Sequence, residues 1–361
     1  MSTYLVRLTP QEPYFFGNEK CLAFDDGNPR GQMTNRYYIK SERTPLQTTL
    51  LGAMRYVFLK EKTYSLSNEN VGSESFKIEK KNQDFGVIKK ISPLFLLKGN
   101  ERLVVTPFDH IKAKKKKDEQ GKEIRYEMTT YTPFSYHNSE NKPNIIRTAD
   151  GEKWFTPDFD VKEGLTDSYV YVDGEAGKIV KSDEIFSYTT RVMINKTQDK
   201  KAFFKKDYVM LDKDYSFGFY LELADGTVID KNRIKFNDGN SIDKIQTFVY
   251  LGQGKSLFSL TFEKDATNDI ESKIKSLIGE NKAYCFGDTL ADNSIYKVAK
   301  FAAVDFRDYR AYETLGNGKV KKDNILYKLI KAGSVFISDN TSKIVCSHAN
   351  CEQIGFNIMI K

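Results

Sequence analysis

The sequence predicts an α+β fold built mainly from antiparallel sheets. Apolar and polar residues alternate from Tyr215 to Leu223 and are followed by the turn Asp225-Gly226, which is the pattern of a β-hairpin. Gly99-Asn100 separates two short apolar runs in the same way. Strands and helices are mixed in both halves of the chain, and the many hairpins favour antiparallel pairing over a doubly wound parallel sheet.

The first elements are a strand and a helix. Residues Tyr4 to Leu8 alternate as a half-buried strand, and residues 18–36 are rich in loop-forming residues. Thr44 is suited to be a helix N-cap, Pro45 fits the first helical position, and Gln47 completes a capping box. The apolar residues of this helix are spaced to cover the sheet, and they are Leu46, Leu50, Met54, Val57 and Phe58.

Gly52 lies inside this helix, where a glycine costs about 1 kcal/mol relative to alanine. One explanation, and the more common one, is that a strand or another helix packs closely against it. The other is that the amino-terminal amides of the helix, the hydroxyl groups of Thr48 and Thr49, and Arg55 approach a phosphate chain. The helix sequence alone leaves both explanations open.

Two polar segments, near residues 62–82 and 111–127, indicate insertions in loops. The stretch "TFVYLGQGKSLFSLTFE" predicts another hairpin, and apolar spacing predicts a helix over Asn268 to Ile278 with Gly279 as its C-cap. Further strands are predicted in the last third of the chain, at Tyr296 to Phe306, Gly333 to Ser338 and Ile354 to Ile360. A length of 361 residues favours two domains.

The composition suits a soluble protein with a polyanionic partner. Lys and Arg total 56 against 49 Asp and Glu, which gives a net charge of +7, and aromatic residues reach 13%. No run of about 18 apolar residues occurs, so we expect no membrane span and a cytoplasmic location. Four scattered cysteines do not form the disulfide framework of a small secreted domain.

Motifs for catalysis, metals and nucleotides are weak. Of the three histidines, only His137 lies in a polar loop with a neighbouring tyrosine, and a surface histidine without a role is the more common case. Cys346, His348 and Cys351 are spaced more tightly than ordinary zinc ligands. A phosphate-binding loop of the P-loop type is absent from the sequence. We therefore expect no metal, no cofactor and no catalytic residues.

Several blocks of the sequence resemble one family in a conserved order. "PYFFG" at Pro13, "TPLQTTLLGAMRY" at Thr44 and "SPLFL" at Ser92 resemble the amino-terminal half of subunit three of type III-B (Cmr) CRISPR effectors. "TTRVMINKTQDKKAFFKKDYVMLDKDYSFGFYLEL" is similar to the central block of that family, and "KAGSVFI" and "QIGFNIMI" are similar to its closing strands. The sequence departs from the family where Gln253 separates two hairpin glycines and where Gly355 stands without a dense glycine loop.

The resemblance implies a member of the RAMP superfamily with two modified ferredoxin-like (RRM-like) domains. We place these domains at residues 1–180 and 181–361, with the two polar insertions in the first. The implied function is non-catalytic binding of the 5′ repeat-derived handle of the CRISPR RNA, in antiviral defence. The implied partners are that RNA, the large polymerase/cyclase-like subunit and the backbone RAMP subunits, with target RNA reached only indirectly.

Single-stranded RNA is bound by cations, aromatic faces and backbone donors. The resemblance assigns RNA contact to the helix after Thr44, to the strand around Arg191 and to the terminal segment. The residues are Arg43, Gln47, Thr48, Thr49, Gly52, Arg55, Tyr188, Arg191, Asn195, Lys196, Gln353, Gly355, Phe356 and Asn357. Without the resemblance, the Arg191 strand is equally well explained as an ordinary exposed sheet edge.

The lysine run of the second insertion is a weaker candidate. A hairpin called the thumb projects into the guide RNA in many RAMP proteins, and the residues in question are Lys114, Lys115, Lys116 and Lys117. Most such charge runs are solvated loop tips. Two other functions stay open: a metal-independent endoribonuclease of the same superfamily that processes CRISPR RNA, and a β-rich interaction protein without nucleic acid.

Overall fold

The computed structural model describes the chain outside residues 18–21, 24–36, 60–69, 136, 139–145, 148–152, 157–162, 195–202, 231–232, 240, 243–247, 253, 265–267, 291–294, 315–319, 345 and 347. The helices are α1 (Gln47–Phe58), α2 (Ser182–Ile185), α3 (Ile270–Ile278), α4 (Ile295–Val298) and α5 (Ala349–Gln353), with a 3₁₀ turn at Thr341–Lys343. The strands are β1 (Ser2–Pro10), β2 (Leu22–Ala23), β3 (Tyr37–Lys40), β4 (Ile88–Ile91), β5 (Phe95–Lys98), β6 (Glu101–Val105), β7 (Ala113–Lys117), β8 (Glu123–Glu127), β9 (His137–Asn138), β10 (Ile146–Arg147), β11 (Lys153–Phe155), β12 (Ser168–Tyr171), β13 (Ile179–Lys181), β14 (Phe186–Ile194), β15 (Phe203–Leu211), β16 (Tyr215–Leu223), β17 (Val228–Asp230), β18 (Arg233–Lys235), β19 (Ser241–Ile242), β20 (Phe248–Leu251), β21 (Ser256–Lys264), β22 (Lys282–Cys285), β23 (Phe301–Ala303), β24 (Phe306–Tyr309), β25 (Tyr312–Thr314), β26 (Val320–Lys322), β27 (Tyr327–Ile330), β28 (Val335–Ile337) and β29 (Met359–Ile360).

The largest sheet has the strand order β13-β12-β6-β5-β16-β1-β21-β20, and β4 pairs with the other end of β16. All its pairs are antiparallel, including β1 with β16 and β1 with β21. Only β3 and β15 pair in parallel among the strands that the structure describes. The predicted α+β class with mainly antiparallel sheets is confirmed.

Strand β16 is the centre of the molecule because it is buried on both faces. Phe217 and Phe219 project to the face that α1 covers, and both are 0% exposed. Tyr220 projects to the other face, where α3 and the sheet β23-β28-β22-β29 pack. Gly218 also lies on that face, where an added Cβ would stand 2.7 Å from side-chain atoms of Phe95 and Leu97. A side chain at this position would therefore disrupt the core.

Helix α3 is bound to the sheet by an ion-pair cluster as well as by its apolar face. Arg102 donates to Asp173 through Nε at 2.6 Å and through Nη2 at 2.8 Å, and its Nη1 donates to the Tyr220 hydroxyl at 2.8 Å. Lys273 and Asp269, at the start of α3, complete the cluster. Burial alone would raise the pKa of the Asp173 carboxyl, but hydrogen bonds from Arg102 and Lys273 lower it to about 2.

Helix α1 begins later than the sequence predicts. Its N-cap is Leu46 with extended backbone, and no side chain caps the helix. The predicted Thr44 cap and capping box are therefore wrong, because the Gln47 side chain donates to the carbonyl groups of Ser92 and Gly355 instead. By contrast, α3 ends as predicted, with Gly279 as C-cap at a φ of 79°.

The later strand predictions are only partly correct. The predicted strand at Tyr296 to Phe306 is divided into the short helix α4 and the separate strands β23 and β24. The polar segment at residues 111–127 contains the paired strands β7 and β8 rather than an unstructured loop. None of the helices in the described part of the chain is long and apolar enough to cross a membrane.

The division of the chain at residue 180 stays a prediction. β1, β5, β6 and β12 come from the first half, and β16, β20 and β21 come from the second. Because these strands form one sheet, any two such domains would share it.

We expect the Asp173 cluster to make the protein sensitive to acid. The pKa of Asp173 is lower in the folded state than its ordinary 3.8, so its stabilisation is present above about pH 4 and is lost as the pH falls towards 2. Between pH 5 and pH 2 the unaltered protein should lose about 1–2 kcal/mol of unfolding free energy that Asp173→Asn does not lose, after allowance for solvent screening. Urea unfolding followed by circular dichroism at each pH measures this difference.

The exposed Asp214→Asn variant is the control for removal of one carboxyl group. It should keep the pH dependence of the unaltered protein. The same pH dependence in Asp173→Asn would contradict the assignment.

Candidate RNA interface

A cleft of about 640 Å³ lies at the amino-terminal end of α1, and we call it the amino-end cleft. Three of the predicted residues line it, namely Arg43, Gln47 and Tyr188. Because α1 has no capping side chain, its first amide groups are not used by a cap and point towards this end of the helix. The cleft therefore combines cationic side chains, each close to a carboxylate or an aromatic ring, with a helix terminus that favours anions.

Arg43 is held by three groups at the cleft wall. Its Nε donates to the Tyr188 hydroxyl at 2.9 Å, its Nη1 donates to Asp167, and its guanidinium lies 5.8 Å from the centre of the Phe186 ring. Burial would lower the pKa of Arg43, but the hydrogen bond and charge of Asp167 raise it above the ordinary arginine value. The Lys40 ammonium lies 4.4 Å from the centre of the Tyr188 ring. Two of the predicted residues, Arg43 and Tyr188, are therefore in direct contact. Lys40, which the sequence did not single out, lies beside them.

The cleft is also lined by cations that the sequence did not single out. Arg307 donates to Asp288 at 2.7 Å and to Glu42 at 3.3 Å, and Lys331 pairs with Asp305. Within the described part of the chain, the Arg307 Nε has no hydrogen-bond partner. No local sequence pattern marks Arg307, since its carboxylate partner Glu42 lies 265 residues away.

The second cluster is on the hairpin of β14 and β15, and we call it the Arg191 face, after Arg191, Lys206 and Tyr208. Arg191 pairs directly with Lys206, and Thr189 pairs with Tyr208, so their side chains share one face. The Arg191 guanidinium lies 4.6 Å from the centre of the Tyr208 ring, and the Lys206 ammonium lies 4.7 Å from the centre of the Phe15 ring. Burial lowers the pKa of Lys206.

Tyr188 lies on the opposite face of the same hairpin. It stands three positions before Arg191 on β14, and side chains alternate between the two faces along a strand. The predicted RNA-binding residues Tyr188 and Arg191 therefore belong to two different surfaces. Asn195 and Lys196 lie outside the described residues.

The third location is a smaller cavity of about 370 Å³, which we call the Gly52 cavity. Thr48, Thr49 and Gly52 line it from α1, and Tyr309 and Tyr312 line it from the strands β24 and β25. Gly52 is exposed, and no described atom lies within 4 Å of an added Cβ. Close packing of another described element therefore does not explain this glycine.

Arg55 differs from its prediction in one respect, because its guanidinium is buried. Arg55 is 4% exposed, its Nη1 donates to the Glu74 carbonyl at 2.7 Å, and its guanidinium lies 5.0 Å from the centre of the Phe85 ring. Its Nε and Nη2 atoms have no hydrogen-bond partner within the described residues. Desolvation lowers the pKa of Arg55 to about 10. In this position Arg55 holds the segment that carries Glu74, which forms a wall of the Gly52 cavity.

The terminal segment packs directly against the start of α1. Gln47 donates from Nε2 to the Ser92 carbonyl at 3.1 Å and to the Gly355 carbonyl at 3.3 Å. Gly355 has a φ of +88°, and a Cβ there would lie 2.4 Å from Gln47 Nε2. The positive φ favours glycine because of its backbone conformation, and the short distance to Gln47 leaves no room for a Cβ atom.

The remaining terminal residues also have structural roles. Phe356 is 2% exposed and packs against the rings of Phe76 and Tyr309. Asn357 is 4% exposed, and its Oδ1 accepts a hydrogen bond from the Leu290 amide at 2.7 Å. Gln353 ends α5 and is half-buried. RNA contact by this segment stays a prediction.

The lysine run lies on β7 of the hairpin β7–β8, where Lys114 is exposed. The thumb assignment stays a prediction.

Of the histidines, His110 is buried and its Nδ1 accepts a hydrogen bond from the Thr132 amide at 3.1 Å, while burial lowers its pKa. The described residues contain no group of three or more His, Cys, Asp or Glu side chains that could hold a metal ion.

Comparison with known proteins identifies a family. A family model described as "CRISPR-associated protein (Cas_Cmr3)" matches residues 6–285. A search of curated proteins gives no match. Among solved structures, the chain is similar to a subunit in the cryo-EM structure of the type III-B Cmr-beta bound to cognate target RNA and AMPPnP, with 12% identity over 99% of this chain and 96% of that chain and a TM-score of 0.48. The same assembly bound to cognate target RNA gives 14% identity over 98% and 96% and a TM-score of 0.49. A chain of the Csm3-Csm4 subcomplex of a type III-A interference complex gives 12% identity over 99% and 98% and a TM-score of 0.36.

We expect Gln47 to stabilise the junction of α1 with the terminal segment. Gln47→Leu removes the donor that serves two buried carbonyl groups, so the free energy of unfolding should fall by about 1–2 kcal/mol. The loss is limited because the substitution also removes the buried Gln47 Oε1, which has no partner within the described residues. Urea unfolding followed by circular dichroism measures the change.

Gln11→Leu is the matched control, since Gln11 also donates from Nε2 to two acceptors but is exposed. Its effect should stay below about 0.5 kcal/mol. Equal losses in the two variants would show that burial of the Gln47 contacts is not the cause.

Proposed function

Because the chain belongs to the Cas_Cmr3 family of CRISPR-associated proteins, we propose that it is a non-catalytic RNA-binding subunit of a type III-B (Cmr) effector complex in antiviral defence. It binds the 5′ repeat-derived handle of the CRISPR RNA and docks the large polymerase/cyclase-like subunit. It also contacts the backbone RAMP subunits and reaches target RNA only indirectly. The proposal includes two modified ferredoxin-like domains and a cytoplasmic location.

The observation that carries the RNA-binding part is the Arg191 face. Arg191 and Lys206 are opposite each other on paired strands, and two like charges in that arrangement destabilise the hairpin. A phosphate group between them would remove the repulsion and form charge-assisted hydrogen bonds with both. The rings of Tyr208 and Phe15 beneath the cations are buried and support them from below. The half-buried Phe204 ring, whose centre lies 5.6 Å from the Lys206 ammonium, supplies aromatic surface for bases. Cations and aromatic faces together are the chemistry of single-stranded RNA binding.

The amino-end cleft supports a second contact. Arg43 is only partly buried and pairs with Asp167, whose side chain is 65% exposed. An ion pair this open to solvent is worth little, so the exchange of Asp167 for an RNA phosphate has a small cost. The uncapped amino terminus of α1 adds donors for the same phosphate.

The role of the protein as a scaffold rather than a nuclease is also part of the proposal. A general base for RNA cleavage must reach the 2′-hydroxyl that attacks the phosphate. His110, which is buried and already accepts a backbone amide through Nδ1, is poorly suited to that role. The endoribonuclease alternative therefore depends on His137.

We expect Arg191→Ala combined with Lys206→Ala to weaken RNA binding by about tenfold or more, because two phosphate contacts are lost. The slope of log affinity against log salt should become shallower by about 1.4, at about 0.7 for each contact to single-stranded RNA. Fluorescence anisotropy with a labelled RNA of the host repeat sequence measures both quantities, on the chain and on the assembly that contains it.

Arg233→Ala with Lys235→Ala is the matched control, because it removes the same charge from exposed positions on β18. If both double variants weaken RNA binding equally, the loss comes from the change in net charge and not from the Arg191 face. Assemblies purified without nuclease and free of RNA would instead favour the interaction protein without nucleic acid.

Incubation with repeat RNA should leave the RNA uncut, since the proposal gives the protein no catalytic group. Gel electrophoresis of end-labelled repeat RNA over several hours checks this expectation. Cleavage at one position that His137→Ala abolishes would establish the endoribonuclease alternative.

A further inference from the structure

The Gly52 cavity has the size and form of a ligand site. Its volume of about 370 Å³ lies within the range of small-molecule pockets. One wall is α1, a second is formed by Ser75 and Phe76, and a third carries Tyr309 and Tyr312 from the strands β24 and β25.

Gly52 keeps the helix side of this cavity open. A glycine inside a helix costs about 1 kcal/mol relative to alanine, and no described element packs against Gly52 in return. The effect of its missing side chain is therefore on the cavity, where any larger residue would project.

The lining suits a flat group with apolar faces and a polar edge. Tyr312 is 56% exposed and presents an aromatic face at the mouth, whereas Tyr309 is buried at the back. Thr48 and Thr49 line the cavity beside Tyr309, so three hydroxyl groups are available at its polar edge. A nucleobase is such a group, since it stacks on aromatic rings through its faces and hydrogen bonds through its edge.

The charges at the rim favour RNA over a protein side chain. Lys321 and Lys322 are exposed on β26, and the Lys322 ammonium lies 5.9 Å from the centre of the Tyr312 ring. Strand β26 pairs with β25 so that Lys322 is directly opposite Tyr312, which places the Lys322 ammonium beside the cavity mouth, whereas Lys321 is opposite Glu313 and lies on the other face. A nucleotide with its base in the cavity would have its phosphate within reach of Lys322.

The wall that carries Ser75 is fixed to the rest of the protein. Arg55 donates to the Glu74 carbonyl, and Asn350 donates from Nδ2 to the Lys77 carbonyl at 2.8 Å. Phe76 packs against Phe85 and Phe356. These contacts hold the wall in place, and Arg55, which itself lines the cavity, acts as a positioning residue for it.

We propose that the Gly52 cavity holds one unstacked nucleobase of the bound RNA, stacked against Tyr312. This inference rests on the proposed function, because RNA is the ligand in both. The proposed function places RNA on the surface of the protein, whereas this inference places the base of one nucleotide inside a defined cavity.

The test combines Gly52→Leu with an abasic scan of the RNA. Leucine is a good helix former, and its Cβ meets no described atom, so thermal unfolding should show an intact fold. Repeat-sequence RNAs with a single abasic site at each position in turn are bound to the unaltered protein and to the variant. In the unaltered protein, one position should lose about tenfold in affinity when its base is removed.

Gly52→Leu should weaken binding of the intact RNA by a similar factor. In this variant, removal of the base at the same position should then change the RNA affinity little. Ser276→Leu, on the exposed side of α3, is the control for an added leucine and should bind as the unaltered protein does. Tyr312→Ala should also remove the effect of that abasic position.

Two results would overturn the cavity assignment while leaving the proposed function intact. The first is tight RNA binding that Gly52→Leu does not change. The second is release of a partner subunit by Gly52→Leu with unchanged RNA affinity, which would place a protein side chain in the cavity. Failure of the unaltered protein and its assembly to bind RNA would overturn the proposed function itself.

Discussion

The burial of β16 on both faces is the constraint on which the rest of the structure depends. This strand pairs with β1 on one edge and with β5 and β4 on the other, so its backbone hydrogen bonds are satisfied inside the core. Its two faces then need separate covers, and α1 supplies one while α3 and the smaller sheet supply the other. Gly218 shows how tight this arrangement is, because even a methyl group there would meet Leu97 and Phe95.

The position of the candidate interface depends on helix α1, which covers one face of β16. Helix α1 lies across the large sheet, so its amino terminus opens into the amino-end cleft and its exposed side lines the Gly52 cavity. Gln47 joins this helix to the terminal segment, which fixes the cleft and the cavity relative to the core. The Arg191 face stands apart on its own four-stranded sheet, β14-β15-β3-β2. Three distinct surfaces are thus available to one extended ligand.

The sequence predicts the elements whose signals are local. The alternation from Tyr215 to Leu223 identified β16, and the apolar spacing before Gly279 identified α3. It does not predict features that depend on distant residues. Gln47 left its expected capping role because an acceptor 308 residues away lies beside it in the fold. Likewise, Arg43 and Tyr188 meet across 145 residues. The alternation of β14 indicates which of its residues share a face, but the partners Lys206 and Tyr208 follow only from the register with β15.

The position of β1 has a consequence for synthesis of the chain. This first strand lies between β16 and β21, and Tyr4 pairs with Leu221 on one side and Lys264 on the other. At about 5–20 residues per second, a ribosome needs more than about ten seconds to reach the second partner after making the first strand. Until β16 has been made β1 has no neighbour at either edge, and until β21 has been made it has only one. The large sheet can therefore close around β1 only after β21 has been made, so this interior strand is completed by the second half of the chain.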